Sequence, residues 1–534
     1  MHNKPIKVLD CTFRDGGYYT NWKFEKKVVS RYLKSLKESK IDIIELGFRF
    51  LKKNSFYGDF AFTDDKFLSS LDLPDSIDFA VMINAKEFLE DKDSISKNIS
   101  STFSKKSESK ISTVRIAINF NNFEETKPLV KDLKKLGYKV GLNLMQAHNK
   151  SAKDYQSIGS AIDSWGVDVL YFADSLGSMD PDLVSFIAKN ISRNWKGELG
   201  FHAHNNKGHA LVNTITAVSE GVTWVDGTIT GMGRGAGNTS TESLILELKR
   251  LKLYNGNPLK IQSTVSDFSI LKNKFDWGPN FYYHFAANNN IHPTYVQSLL
   301  EDKRYTKNRI LKSLELLTSI DASSFSRERI RNAVYSNSTP GSWNAFNWLE
   351  NEDVLIVGAG PSVKKYKDKI EKFIKLKKPK VLFLNTNKFI NQSYGFATIV
   401  CHERRALLEV DEYEKLNHPL IMPINNLNKI LKERLKNLDV LDYGLNLEND
   451  KFEISDKYCT LHSPLAISYA ISLANIGNAN NIFLVGFDGY TNNQPKQDEM
   501  DKMFKRYKKL SNKLEIISLT PTSYKIVFQN LIDI

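Results

Sequence analysis

Two histidines one residue apart, His202 and His204 in FHAHNN, are well placed to share an ion. Side chains two apart in an extended segment point to one face, so both imidazoles can reach one metal. Far upstream, LDCTFRDGGYYTNW gathers Asp10, Arg14 and Asp15 just where an apolar run ends. A carboxylate from Asp15 would complete a set of two imidazoles and one carboxylate. That mix suits Mn, Mg, Fe or Zn and leaves positions for substrate oxygens. A third stretch, GTITGMGRGAGNTSTE from Gly227 to Glu242, is glycine-rich, so backbone can approach a substrate there while Asn238 offers an amide oxygen as a further ligand. Each stretch alone also reads as ordinary structure: a core histidine pair, a polar turn with a satisfied ion pair, a flexible loop. Their value depends on whether the fold brings them together.

Such a scaffold is visible in the periodicity. Between Ile6 and about Trp277, eight apolar runs alternate with segments of helical period: IKVLD, IDIIELGF, FAVMIN, STVRIAI, KVGLNLM, VDVLYFAD, LGFHAH and WVDGTI. Eight evenly spaced units predict a (β/α)8 TIM barrel rather than an open doubly wound sheet. Polar residues end nearly every run: Asp10, Glu45, Asn84, Asn119, Asn143 with Gln146, Asp174, His202 with His204, and Asp226. In a barrel these ends share one face, where active sites are built.

Beyond residue 277 an aromatic helical stretch, residues 278–335, reads as an extension of the barrel, and SNSTPGSWN (Ser336 to Asn344) lies in a linker spanning 336–350. EDVLIVGAGPS then opens a second α/β domain, 351–534, with a parallel sheet expected from VLIV, KVLFLN, ATIVC, NIFLVGFD and LEIISL. The predicted fold class is therefore α/β, a TIM barrel with a helical extension followed by a Rossmann-like α/β domain.

Composition narrows the function classes. The chain has 534 residues, too many for one core, and 41% hydrophobic residues, with no run near the roughly 18 apolar residues of a membrane span. MHNKPIKVLD lacks the apolar segment of a secretory signal, so a cytoplasmic location is expected. Cys11, Cys401 and Cys459 have no paired spacing and indicate neither a disulfide framework nor a thiolate zinc site. The net charge of +13 is spread along the chain, with lysines interleaved among acids as in KKYKDKIEKFIKLKKPK, so nucleic acid is not the expected partner.

The stretches DCTFRDG, FHAHNN and GMGRGAGN, in that order, resemble the DRE-TIM metallolyase superfamily, which includes 4-hydroxy-2-oxovalerate aldolase, hydroxymethylglutaryl-CoA lyase and isopropylmalate synthase. LDCTFRDGGYYTNW is most similar to the aldolase-like branch. The resemblance implies that Asp15, His202 and His204 bind a divalent metal, Mn or Mg, with Asn238 as a ligand known from the lyase and synthase branches. It implies that Arg14 stabilises an enolate and that Glu45 and Asp174 stand at pocket positions. The pyruvate-specific aldolases carry an acid/base histidine shortly after the arginine-aspartate pair, whereas this chain reads GGYYTNW there. Tyr18 or Tyr19 could donate a hydrogen bond, but a phenol of pKa ~10 is a poor base at neutral pH. His292, in NNNIHPTYVQ, or Tyr283 and His284 could supply the missing group. The expected activity is an aldolase acting through an enolate of pyruvate or a similar 2-oxo acid, with an aldehyde or sugar-derived acceptor. A Claisen-type enzyme condensing an acyl-CoA, and a non-catalytic nucleotide-binding scaffold with a retained barrel, are the rival readings.

In the second domain GAGPS, FLNTN, TLHSPLAISYAISLANIG and IFLVGFDGY are loosely similar, in that order, to the nucleotide-binding fold of bacterial sialyltransferases and related proteins of surface-glycan synthesis. The resemblance implies a nucleotide, nucleotide-sugar or sugar phosphate near Gly358, Gly360, Ser362, Asn385, Asn387, Thr460, His462 and Ser463, and a place for the whole chain in carbohydrate biosynthesis. Those transferases have a catalytic histidine after the GFDGY-like strand, and residues 488–534 contain none. A structural or dimerising role, with the chain as a homo-oligomer, is the alternative for this domain.

Overall fold

The computed structural model describes residues 5–54, 56–302, 305–326, 340–387, 389–427, 429–448, 450–490 and 494–531. The end of the expected helical extension and the first residues of the expected linker, 327–339, lie outside the described residues.

Eight strands close into a barrel in chain order: β1 (Lys7–Asp10), β2 (Ile43–Phe48), β3 (Asp78–Asn84), β4 (Thr113–Asn119), β5 (Lys139–Met145), β6 (Val169–Asp174), β7 (Glu198–Ala203) and β8 (Trp224–Gly227). Every pairing is parallel, and the ring closes where Lys7 to Asp10 run beside Trp224 to Gly227. The strands match the apolar runs to within one or two residues. All six residues of β2 and of β6 are buried, as expected where helices cover the outside and packed side chains fill the inside.

Helices between the strands present one apolar stripe to this barrel. In Lys26–Ser39, Val29, Leu33 and Leu36 are buried together with Tyr32, whose hydroxyl donates to Asp10 Oδ1 at 2.5 Å. Thr12 Oγ1 and Thr241 Oγ1 donate to the same carboxylate, each at 2.6 Å. Asp10 thus pins the turn after β1 to the loop after β8, and its role in the acidic cluster is to hold the others in place. In β2 the register with β3 shifts between Glu45 and Gly47. Phe60 O would lie 1.9 Å from a Cβ at Gly47, so only glycine permits that approach.

The chain divides into two compact units, residues 1–298 with 320–325, and residues 299–319 with 326–534. The stretch expected to extend the barrel forms helices Phe281–Asn288, Pro293–Glu301 and Lys307–Thr318, and is shared between the two.

The second unit is built on an all-parallel sheet of β9 (Val354–Val357), β10 (Lys380–Leu384), β11 (Gly395–Ile399), β12 (Leu420–Met422), β13 (Val440–Asp442), β17 (Ile482–Val485), β18 (Ile516–Ser518) and β19 (Val527–Phe528), in the order 13-12-11-10-9-17-18-19. The order reverses direction between β9 and β17, which makes that edge the topological switch point of a doubly wound sheet. A small sheet of β14 (Gly444–Leu447), β15 (Phe452–Ile454) and β16 (Tyr458–Leu461) has the order 14-16-15, with β15 antiparallel to β16. No helix among the described residues is long and apolar enough to cross a membrane.

Candidate metal centre

The turn after β1 becomes a short helical turn, Thr12–Asp15, that buries Arg14 and Asp15. Arg14 Nε donates to Glu45 Oε2 at 2.8 Å and Nη1 to Asp15 Oδ1 at 2.5 Å. The backbone carbonyl of Arg14 accepts from the Trp22 indole at 3.0 Å, which fixes the turn from the far side. The guanidinium is thereby held by two acids from two strand ends, while its Nη2 is buried without a partner.

At the end of β7, His202 lies between two carboxylates: Nδ1 is 2.8 Å from Asp226 Oδ2 and Nε2 is 3.2 Å from Asp15 Oδ2. The ring of His204 stands 5.2 Å from that of His202, centroid to centroid. His204 also forms an isolated bridge with Asn238, and Asn205 N donates to Gly237 O at 2.8 Å, so the glycine-rich loop is laid directly against the strand end. Asn238 Nδ2 reaches Asp15 Oδ2 at 2.5 Å. Residues 223 apart in sequence therefore meet at one carboxylate.

Electrostatics prepare these groups for a cation. Burial alone would raise the Asp15 carboxyl, but Arg14 and His202 hold it well below the usual range, so it is ionised. Burial, then His202, pushes His204 down to about 3, so its imidazole is neutral and can donate a lone pair. Against burial, Asp15 and Asp226 raise His202, a proton affinity that a metal ion on Nε2 would satisfy instead.

The unsatisfied atoms of this cluster fit a divalent ion. His204 Nδ1 and Asn238 Oδ1 are buried without hydrogen-bond partners, beside an ionised Asp15 and the Nε2 of His202. Carboxylate, imidazole and amide oxygen together suit a divalent cation of the Mg to Zn range. Cys11 also lies within 4.8 Å of the Asp15 and His202 ligand atoms. Its thiol, however, is pushed far up by burial and donates to Gly227 O at 3.5 Å, so it remains protonated and packs as a small core side chain.

Two groups position the site: Asp226, which ends its apolar run, and Arg115, which was not singled out from sequence. Arg115, in the middle of β4 and fully buried, donates to Asp226 Oδ2 at 2.7 Å and to Glu45 Oε2 at 3.3 Å, with its guanidinium 4.0 Å from the Tyr171 ring centre. An arginine inside the apolar run STVRIAI was the available signal. Asp226 is held ionised, against burial, by Arg115 and His202. A continuous chain thus runs from Arg115 through Asp226 to His202, in the pattern that orients a ligating imidazole.

Other expected residues are placed differently. Both oxygens of Asp174 accept backbone amides of the following loop, Ser178 N at 2.9 Å and Met179 N at 3.2 Å, so it organises that loop, and burial raises its carboxyl to about 7. His284 is exposed on the outer face of its helix, beside Asn280 and Phe281, and does not supply an acid or base. His292 lies near His204 and Arg234, and burial first and then Arg234 push it down to about 2. Its Nδ1 accepts from Thr294 N at 3.3 Å, which leaves a neutral ring that is no base. Tyr19 donates to Gly235 O at 2.7 Å, and the Tyr18 phenol is kept protonated by burial.

In the second unit the GAGPS turn follows β9 as expected, yet an acid stands where a phosphate was expected. Asp488, after β17, accepts from Ser362 N at 3.2 Å and Ser362 Oγ at 2.9 Å, and a Cβ at Gly360 would lie 2.0 Å from its Oδ2. The helix that starts there, Pro361–Lys365, has only five residues and its first turn is already capped by this carboxylate. Gly358, Gly360 and Ser362 are thus placed beside Asp488, which takes the amide and hydroxyl of Ser362 that a phosphate was expected to receive. Asn387 is committed to the loop, donating to Gly358 O at 3.1 Å and accepting from Phe389 N and Ile390 N. Asn385, in the left-handed region, has a buried Oδ1 without a partner. Thr460 lies within β16 of the small sheet, Ser463 follows that strand and is buried, and His462 Nδ1 accepts from Asp450 N at 2.9 Å.

A closed parallel barrel with imidazoles, carboxylates and an arginine converging at its strand ends defines the class: a metal-dependent TIM-barrel enzyme. Residues 5–269 match the family model described as HMGL-like. The chain is 31% identical over 264 residues to 4-hydroxy-2-oxovalerate aldolase of Pelotomaculum thermopropionicum, covering 46% of this chain and 70% of the relative. It is 30% identical over 255 residues to the enzyme of the same name from Carboxydothermus hydrogenoformans, covering 47% and 73%. A crystallised N-terminal domain from a Bacteroides vulgatus protein assigned as an aldolase superposes with a TM-score of 0.51 at 32% identity, covering 58% of this chain and all of that one. The chain belongs to the HMGL-like family, and it is a carbon-carbon lyase of the aldolase kind.

Proposed function

We propose that the barrel unit is a divalent-metal-dependent aldolase that makes or breaks a carbon-carbon bond at the nucleophilic enolate carbon of pyruvate or a similar 2-oxo acid. The observation that carries this reading is the convergence of Asp15, His202, His204 and Asn238 beside an arginine with one buried, unused N–H group. Bound by those four residues, a Mg or Mn ion would supply Lewis-acid polarisation of the 2-oxo group.

The protein side of the reaction follows from the contacts. Glu45 and Asp15 hold the Arg14 guanidinium rigid, so its free Nη2 can donate to the enolate oxygen as negative charge grows there, without reorganisation. The buried polar network from Arg115 to His202 keeps the imidazole in the tautomer whose Nε2 faces the ion. The protonated Tyr18 phenol, in place of the family histidine, donates a hydrogen bond to the oxygen of the acceptor carbonyl and steadies the negative charge that grows there as the bond forms.

The test is exchange of the pyruvate methyl hydrogens in D2O, followed by NMR with Mg- or Mn-loaded protein. Metal-dependent exchange that is lost on Arg14→Met is the expected result. Exchange by metal-stripped protein would overturn the reading, as would thiol release from acetyl-CoA with no pyruvate exchange, which favours a Claisen condensation.

For the second unit we infer a ligand-binding role at the switch point between β9 and β17, in keeping with the loose similarity to nucleotide-binding folds of surface-glycan synthesis. Asp488 and Ser362 favour the hydroxyls of a sugar or ribose there over a phosphate. Cytidine and uridine, compared with their diphosphates and with CDP- and UDP-sugars in a thermal-shift series on the full chain, test this. No shift with any of them would leave a structural role.

A further inference from the structure

Arg234 sits in the glycine-rich loop between β8 and the helix Thr241–Arg250. Gly231, Gly235 and Gly237 all have positive φ, between +68° and +83°, which folds the loop back over the strand end. Gly237 N donates to Arg234 O at 3.3 Å, and Gly235 is held on both sides, by Tyr19 to its carbonyl at 2.7 Å and by Gln297 Oε1 from its amide at 3.3 Å. The arginine is thus carried on a braced loop rather than a free one.

Its guanidinium carbon lies 5.2 Å from the centre of the Tyr18 ring. Tyr18 packs edge-on against Phe48 at 6.2 Å, and the Arg14 guanidinium sits 5.9 Å from the same Phe48 ring. Tyr18 therefore lies between the Arg234 guanidinium and, by way of the shared Phe48 ring, that of Arg14. Arg234 Nε is buried without a hydrogen-bond partner, and no carboxylate of the described residues pairs with Arg234. Leaving a buried guanidinium N–H unmet is costly, and the usual explanation is a group that arrives with the ligand.

Resting on the aldolase reading, we propose that Arg234 recognises a second anionic group, a carboxylate or phosphate on the aldehyde acceptor, so that the substrate class is an anionic aldehyde. The 2-oxo acid occupies the metal end beside Arg14. The acceptor carbonyl then lies by the Tyr18 hydroxyl, and its charged tail reaches the planar fork of Arg234, whose geometry matches either oxyanion.

The experiment compares aldol addition of pyruvate to propanal, succinic semialdehyde and glyceraldehyde 3-phosphate by the Mg-loaded full-length protein and its Arg234→Ala and Arg234→Lys variants. The expected result is a kcat/KM preference of the natural chain for a charged aldehyde over propanal. In Arg234→Ala that preference should collapse by about 10- to 100-fold, mostly in KM, with partial recovery in Arg234→Lys. Whether the semialdehyde or the phosphate benefits more identifies the oxyanion. Equal losses on propanal and the charged aldehydes, or no preference in the natural chain, would overturn the proposal. Calorimetric titration with phosphoglycolate and with succinate reads the same subsite without turnover: binding by the natural chain and a tenfold or greater loss in Arg234→Ala supports it, and no binding overturns it. Pyruvate exchange in D2O reports on the aldolase reading separately, so the two failures are distinguishable.

Discussion

Asp226 Oδ2 accepts from His202 Nδ1 at 2.8 Å while Arg115 donates to the same oxygen at 2.7 Å, so one carboxylate oxygen ties an imidazole to a guanidinium at the centre of the barrel. That shared atom decides which nitrogen of His202 faces the ion. With the proton on Nδ1, Nε2 is free for a metal. Asp226→Asn should lower affinity for Mn or Mg by about 10- to 100-fold, read by calorimetry, because an amide can present its NH2 to Nδ1 and favour the wrong tautomer. Unchanged affinity would remove Asp226 from the site.

Arg115 compensates two buried acids, Glu45 and Asp226. Arg115→Met keeps much of the volume but leaves Glu45 with Arg14 alone and Asp226 with His202 alone. The expected cost is about 3 to 5 kcal/mol of barrel stability, measured by urea unfolding. A near-neutral result would mean that the acids take up protons in the variant, and a stability profile against pH would then show it.

The loop carrying Arg234 and Asn238 depends on Gly237. Its φ is +83° and an added Cβ would lie 2.0 Å from Gly231 O. Gly237→Ala should cost about 1 to 3 kcal/mol of local strain and displace Asn238. Metal affinity and aldol turnover are expected to fall while the far-UV circular dichroism of the barrel is retained.

His292 links the site to acid stability. Its pKa is held at about 2, chiefly by burial, against 6.5 when unfolded. Below pH 6.5 the unfolded chain therefore binds a proton that the folded chain does not, and stability falls as pH drops from 6.5 toward 2, by at most about 1.4 kcal/mol per pH unit from this group. His292→Gln should flatten that acid limb in urea midpoints measured from about pH 7 to about pH 4 and leave the region above neutrality unaltered. An unchanged acid limb would show that His292 titrates normally in the fold.

Much of this was legible along the chain. Eight apolar runs with helical intervals, and polar residues at their ends, depend on periodicity that is written locally, so the barrel and the grouping of Asp15, His202, His204 and Asn238 at one face could be read from residue order alone. The two-residue spacing of the histidines and the glycines around Arg234 are likewise local. What only the tertiary structure decided are contacts between residues far apart in sequence and the charge states they impose. Ring closure brings Arg115 to Asp226 and Asp226 to His202, and burial together with His202 makes His204 neutral. Asp174, by contrast, turns into its own loop, and the helix bearing His284 shows that residue to solvent. The same holds in the second unit, where GAGPS alone suggests a phosphate cradle but Asp488, 126 residues away, caps Ser362. A side chain's type is a property of the sequence, but its proton affinity and its free valences depend on which distant partners and how little water the closed fold leaves beside it.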